Sequence, residues 1–200
     1  MLNKMGFKKL SFAIIIAFIF FGCGKDIHVI KDLGKSSYKL IDQDSTKFNF
    51  LQDLKGKTVV LSYIYTNCPD ICPLTTHNII SIKNKLDNDG ITDVEYVEIS
   101  FDPERDSPSV LKNYAEVRGI KLNNWHFLTG DKKTVFNLLD EVNVRALPGD
   151  TTITPKNDTL YYFIHTDRIS LIDKQGRLRI NFKGSNANKN EIINSIKQIN

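Results

Sequence analysis

Cys68 and Cys72 stand four residues apart, each followed by proline, in the segment Cys68-Pro69-Asp70-Ile71-Cys72-Pro73. Two thiols held that close can bind a soft metal ion as thiolates or cycle with a disulfide. A structural disulfide is also within reach, since it needs Cα atoms no more than about 7 Å apart. Dithiol oxidoreductases use C-x2-C; the additional residue here loosens disulfide geometry and widens the gap a metal can fill. A soft thiolate pair selects Cu(I) or Zn, and one imidazole would complete a trigonal copper site. The chain has four histidines. His28 falls in a polar stretch and His126 follows Trp125 in a strand, where an ordinary packing role suffices. His77 is near the pair in sequence, and His165 ends a strand just before a hairpin. Spacing alone puts His165 only slightly ahead of His77.

The elements that must position these residues read clearly. Val59 to Tyr65 is a continuous apolar run, as expected of a central strand covered on both faces. A helix is expected from Pro73, because proline is tolerated in a first turn. That start puts Cys72 at or near the N-cap, where the helix dipole and free amides lower a thiol's pKa. Ile79, Ile80, Ile82 and Leu86 give the helix an apolar face, and Asn88-Asp89-Gly90 ends it. Further strands are expected over Tyr38 to Ile41, Lys47 to Phe50, Val94 to Phe101, Trp125 to Leu128, Leu160 to His165 and Ile169 to Ile172. Ser107-Pro108 opens a second helix with an N-cap and a first-turn proline, and Lys132 to Val142 forms a third. Residues 147 to 159, with Pro148-Gly149 and Pro155, read as a loop or insertion. Asp173-Lys174-Gln175-Gly176 turns into a strand where Leu178, Ile180 and Phe182 alternate with Arg177, Arg179 and Asn181, so a late β-hairpin with one buried face is expected. A final helix carries Ile192, Ile193, Ile196 and Ile199. The fold class is therefore α/β, a central mixed sheet flanked by helices. A cysteine motif after the first long strand points to a thioredoxin-like arrangement.

The N-terminus bears on compartment. Lys4, Lys8 and Lys9 precede an apolar run from Leu10 to Phe21, followed by Gly22 and Cys23. A helix of that run spans roughly 18 Å, short of the ~30 Å hydrocarbon core, which favours an export signal over a permanent span. Phe20-Phe21-Gly22-Cys23 resembles a bacterial lipobox, with Cys23 the lipidated residue of the mature chain. The expected organisation is a lipoprotein signal over 1–22, a tether over 23–36 and one domain over 37–200. The body would then lie in the cell envelope, outside the cytoplasm and anchored to a membrane. Without residues 1–22 the chain holds 24 Lys and Arg against 23 Asp and Glu. A nearly neutral body carries no footprint for nucleic acid.

Taken together, Cys68-Pro69-Asp70-Ile71-Cys72-Pro73, Ser100-Phe101-Asp102-Pro103-Glu104-Arg105-Asp106-Ser107-Pro108, Leu128-Thr129-Gly130 and His165-Thr166 resemble the Sco/SenC family over roughly residues 38 to 199. The resemblance implies a thioredoxin-like fold and copper, as Cu(I) or Cu(II), held by Cys68, Cys72 and His165. It also implies a partner: delivery of copper to the binuclear centre of cytochrome c oxidase subunit II, or to another copper-receiving protein, or reduction of that partner's cysteines. Members commonly carry aspartate immediately before the histidine, where this chain has Ile164. Asp102 and Asp106 match the family's aspartate-rich loop, and turn formation with helix initiation explains them adequately.

The leading expectation is a membrane-tethered copper metallochaperone, a role that requires no catalytic turnover. The rival is a thiol–disulfide oxidoreductase, which would use the Cys68–Cys72 pair without His165. A peroxidase-like or redox-sensing role has only Thr66 near the pair to support it.

Overall fold

The computed structural model describes residues 27–153 and 159–200. Among the described residues ten strands and four helices follow in order: β1 (Lys31–Asp32), β2 (Tyr38–Asp42), β3 (Lys47–Phe50), β4 (Thr58–Ile64), α1 (Ile71–Asn88), β5 (Val94–Ser100), α2 (Pro108–Val117), β6 (Trp125–Thr129), α3 (Lys132–Glu141), β7 (Ala146–Ile153), β8 (Thr159–His165), β9 (Ile169–Ile172), β10 (Arg177–Phe182) and α4 (Lys189–Ile199). Eight strands make one sheet in the order β1-β10-β9-β4-β5-β6-β2-β3, while β7 and β8 form a separate two-stranded ribbon.

Strand β4 lies at the centre, parallel to β5 in the register Thr58↔Val94 to Ile64↔Ser100 and antiparallel to β9. All its residues are buried, which is why its sequence shows no polar alternation. Strands β5 and β6 run parallel, and the β2–β3 hairpin closes that edge antiparallel to β6. The mixed, helix-flanked, thioredoxin-like sheet expected from the sequence is the fold observed. The helix signals also work as read. The Ser107 hydroxyl accepts from the Val110 amide, with Pro108 in the first turn. The Asp131 carboxylate caps α3 through the Thr134 amide, and Ile192, Ile193 and Ile196 are the buried side of α4. Gly90 follows α1 at φ +76°, a left-handed conformation that other residues adopt at a strain.

Four expectations need correction. Helix α1 begins at Ile71, not Pro73, so Cys72 lies inside the first turn. Pro73 is compatible with this because the first amides of a helix have no intrahelical acceptor to lose. Residues 146–153 are a strand rather than a loop, paired with β8 through a register shift between Pro148 and Thr151. A two-stranded ribbon tolerates proline and a bulge where a central strand would not. The expected tether over 23–36 contributes Lys31–Asp32 to the sheet edge against β10, and Leu33 is buried, so the domain begins before residue 37. Finally, the β9–β10 hairpin carries an irregularity between Leu178 and Ile180 that turns Arg179 inward, where it pairs with the buried Asp173 carboxylate at 2.7 Å. The signal expected over 1–22 and Cys23 lie outside the described residues. Among those described, no helix is long and apolar enough to cross a membrane.

Candidate metal centre

Three elements converge beyond the end of β4. The loop after β4 carries Cys68, the first turn of α1 carries Cys72, and the last residue of β8 is His165. One ligand atom from each lies within 4.8 Å of the other two. The Cys72 sulfur is 3.8 Å from His165 Nε2, and the Cys72 amide donates to the Cys68 sulfur at 3.4 Å. Both cysteines are free thiols; Cys72 is buried and Cys68 half-buried.

The electrostatics separate the two sulfurs. Donation from the Cys72 thiol is the main effect holding Cys68 far below the ordinary thiol range; partial burial opposes it, and His165 and the Cys72 and Asp70 amides add to it. Cys72 is pushed upward by the same bond, by burial and by the Cys68 charge. The site therefore favours the thiolate on Cys68 and the thiol on Cys72. The sequence placed the helix-stabilised thiolate on Cys72, but the first-turn amide points at Cys68 instead. Asp70, the residue at the N-cap, makes no side-chain capping bond, so the Cys68 sulfur takes that place. For His165, burial disfavours the cation, but bonding to Cys68 and to the Thr166 carbonyl outweighs it and its pKa is raised.

Aromatic packing holds the imidazole. The His165 ring centroid is 4.9 Å from Phe101 and 6.0 Å from Tyr65, and Phe163 meets both of those rings edge-on. Nδ1 faces the Thr166 carbonyl at 3.2 Å, which leaves Nε2 toward the sulfurs. Ile164 is on the opposite face of the ribbon, 72% exposed and across from Leu147. A side chain at 164 therefore does not address the imidazole.

The other histidines stay outside the cluster. His77 is exposed on α1, His28 is exposed near the start of the described chain, and His126 pairs with Glu95 at 3.1 Å. The two aspartates do more than shape a turn. Asp106 is buried and accepts from Thr66 N, Thr66 Oγ1 and Ser100 Oγ, fixing the backbone two residues before Cys68. Both Asp102 oxygens accept from Tyr161 OH at 2.7 Å, joining the β5–α2 loop to the ribbon that carries His165.

Sequence reasoning missed Glu98, which is fully buried in β5. Thr76 Oγ1 donates to its Oε2 at 2.8 Å and lies 3.2 Å from Tyr114 OH, while Oε1 has no hydrogen-bond partner. Burial pushes its carboxyl up to about 7. A charged residue among the apolar neighbours of a central strand was the available signal.

A thioredoxin-like sheet presenting two cysteines at a strand–helix junction and a histidine from a neighbouring ribbon defines a thiol protein equipped to hold a soft ion. The SCO1/SenC family model matches residues 30–200, and the chain belongs to that family. It is 28% identical over 191 residues to the SCO1 protein homolog of Bacillus subtilis, covering 95% of each chain. A SCO1/SenC family lipoprotein from Bacillus anthracis superposes with a TM-score of 0.69 at 25% identity, covering 86% of this chain and 99% of that one. The Bradyrhizobium japonicum ScoI structure with copper bound gives 0.64 at 27% identity, covering 82% and 98%.

Proposed function

We propose that the protein is a copper metallochaperone that takes up Cu(I) through Cys68, Cys72 and His165 and passes it to a copper-receiving partner, with cytochrome c oxidase subunit II as the recipient the family resemblance implies. The observation that carries this reading is the convergence of two sulfurs and one imidazole nitrogen within 4.8 Å, from three separate elements. The donor set fits the ion: two soft sulfurs and one imidazole suit Cu(I), and a hard cation would find no carboxylate in the cluster. A solved relative of the same family has copper bound. Uptake requires loss of the proton shared by the sulfurs, so binding releases a proton and strengthens with pH. Delivery proceeds by ligand exchange, as thiolates of the partner replace Cys68 and Cys72 one at a time.

The thiolate–thiol asymmetry supports a second reading, a thiol–disulfide oxidoreductase. The Cys68 thiolate attacks a partner disulfide, and Cys72 then attacks the mixed disulfide. The partner disulfide gains two electrons and leaves as one thiol, carrying the Cys72 proton, and one thiolate that takes its proton from water, while Cys68 and Cys72 form a disulfide. His165 forms no bond in that exchange and is not required for it, since the Cys72 thiol is the main effect holding the Cys68 thiol low. Anaerobic Cu(I) titration against a chelating competitor separates the readings, using the parent, Cys68→Ala, Cys72→Ala and His165→Ala. The metallochaperone reading expects one tightly bound equivalent in the parent and weakened binding in all three variants. Absence of tight binding, with disulfide reductase activity intact in His165→Ala, would select the oxidoreductase.

The body is placed outside the cytoplasm on a lipid attached to Cys23. The export-type N-terminus supports this, as does a family relative described as a lipoprotein. Partition of the mature protein into detergent, lost in Cys23→Ser, tests it.

A further inference from the structure

The two cysteines, with three residues between them, keep each other close, but His165 lies 93 residues from Cys72 and belongs to a ribbon outside the main sheet. Its place beside the sulfurs depends on tertiary ties. One such tie is built around Asp167, two residues beyond His165. Asp167 Oδ1 accepts from Thr75 Oγ1 at 3.1 Å and from Ser185 N at 2.9 Å. Oδ2 accepts from Ser185 Oγ at 2.6 Å and from Ser185 N at 3.1 Å. Thr75 is a buried residue of α1, three positions after Cys72. One turn further on, Asn78 Nδ2 donates to the carbonyls of Gly184 and Ser185 at 2.9 and 3.1 Å. Gly184 is what lets the three segments meet, since a Cβ there would sit 2.6 Å from both Asp167 Oδ1 and Thr75 Oγ1.

We propose that Asp167 is a positioning residue that locks the His165 end of the ribbon to the first turns of α1 and so holds the imidazole within reach of Cys72. This rests on the three-ligand copper reading, and Asp167 itself touches no ligand atom. The carboxylate joins the neighbour of one ligand to the neighbour of another, while the Thr166 amide, donating to the Arg145 carbonyl at 2.9 Å, keeps the chain between them in ribbon geometry. With the knot cut, the ribbon end is free to swing, and His165 leaves the site before either sulfur does.

The test uses the soluble chain with reduced thiols. Groups that orient a metal ligand are typically worth about 10–100-fold in metal affinity, and Asp167→Ala is expected to lose that much for Cu(I). X-ray absorption should show its nitrogen scatterer gone and both sulfurs kept. Asp167→Asn can rebuild the knot through its remaining oxygen and the Ser185 hydroxyl, so it should stay within about threefold of the parent. In a His165→Ala background Asp167→Ala should add no further loss, because residues acting through one group are not additive. Thr75→Val carries the same expectation as Asp167→Ala if the latter does not fold. A readout independent of copper is the His165 ring resonance, which should respond to oxidation of Cys68 and Cys72 in the metal-free parent and fail to respond in Asp167→Ala. Retained nitrogen scattering, additive losses, Asn as damaging as Ala, or an unchanged ring response would each overturn the proposal. A parent that binds no copper yet shows the loss of ring response in Asp167→Ala would leave the positioning role standing and remove the metallochaperone reading.

Discussion

The amide of Cys72 donates to the sulfur of Cys68 at 3.4 Å, so the half-buried thiolate of the pair also caps the N-terminus of helix α1. The buried sulfur is left to hold the proton. The two cysteines are therefore inequivalent before any metal arrives, and the difference comes from one helix turn and the burial of one side chain.

Alkylation should report that inequivalence. An ordinary thiol ionises near pH 8.5, so its reaction with iodoacetamide rises about tenfold per pH unit below that. In the reduced, metal-free protein Cys68 is expected to react at a nearly constant rate from about pH 5 to 8, with Cys72 unmodified. Peptide mass spectrometry of timed samples distinguishes the sites. A Cys68 rate that climbs through neutrality would contradict the assignment.

Glu98 should make the fold less stable as pH rises. Its folded pKa, pushed to about 7 by burial, lies above the unfolded value of 4.5. A raised carboxyl contributes its full stability below the unfolded value and loses it as pH climbs to the folded one. The span corresponds to about 3 kcal/mol lost between roughly pH 4.5 and 7. Glu98→Gln should flatten this dependence. Urea denaturation at pH 5 and pH 8 checks it, and an unchanged pH dependence in the variant would rule Glu98 out as the source.

Asp106→Ala should destabilise the domain by about 2–4 kcal/mol, because it strands the Thr66 amide and the Thr66 and Ser100 hydroxyls around a buried void. Cu(I) affinity should fall with it, since the same carboxylate anchors the backbone leading to Cys68. Chemical denaturation alongside chelator competition measures both. A variant of parental stability would show that the three donors find water instead.

Much of this arrangement was legible in the sequence, for identifiable reasons. The Cys68–Cys72 pair, the doubly covered β4 and the Ser107-Pro108 helix start are local signals, written in adjacent residues. Spacing put His165 only slightly ahead of His77, and the family resemblance and then the fold raised it, because its contact with Cys72 spans 93 residues. Pro148-Gly149 hid strand β7, since proline is an interruption in a sheet interior but is tolerated on a ribbon edge. Arg179 broke the expected alternation of β10 because a single irregularity turns it toward Asp173. Asp102 and Asp106 read as turn residues and Asp167 was not singled out, and nothing local reveals that each reaches across to another segment.

Ile164→Asp should change little. The side chain at this position projects from the ribbon face opposite His165 and is 72% exposed. Substitutions at such sites fall within about 0.5 kcal/mol, so stability should hold and Cu(I) affinity should move by no more than about twofold. Thermal unfolding and chelator competition test this directly. A tenfold gain in affinity would mean that the residue before the histidine acts on the site after all.

The central claim is that copper is held by two sulfurs and one imidazole. Copper-edge X-ray absorption on the reduced, Cu(I)-loaded protein and on its His165→Ala variant tests it most directly. The account predicts two sulfur scatterers and one nitrogen in the parent, with the nitrogen lost in the variant. A parent spectrum of sulfur alone, unchanged by removing His165, would contradict it.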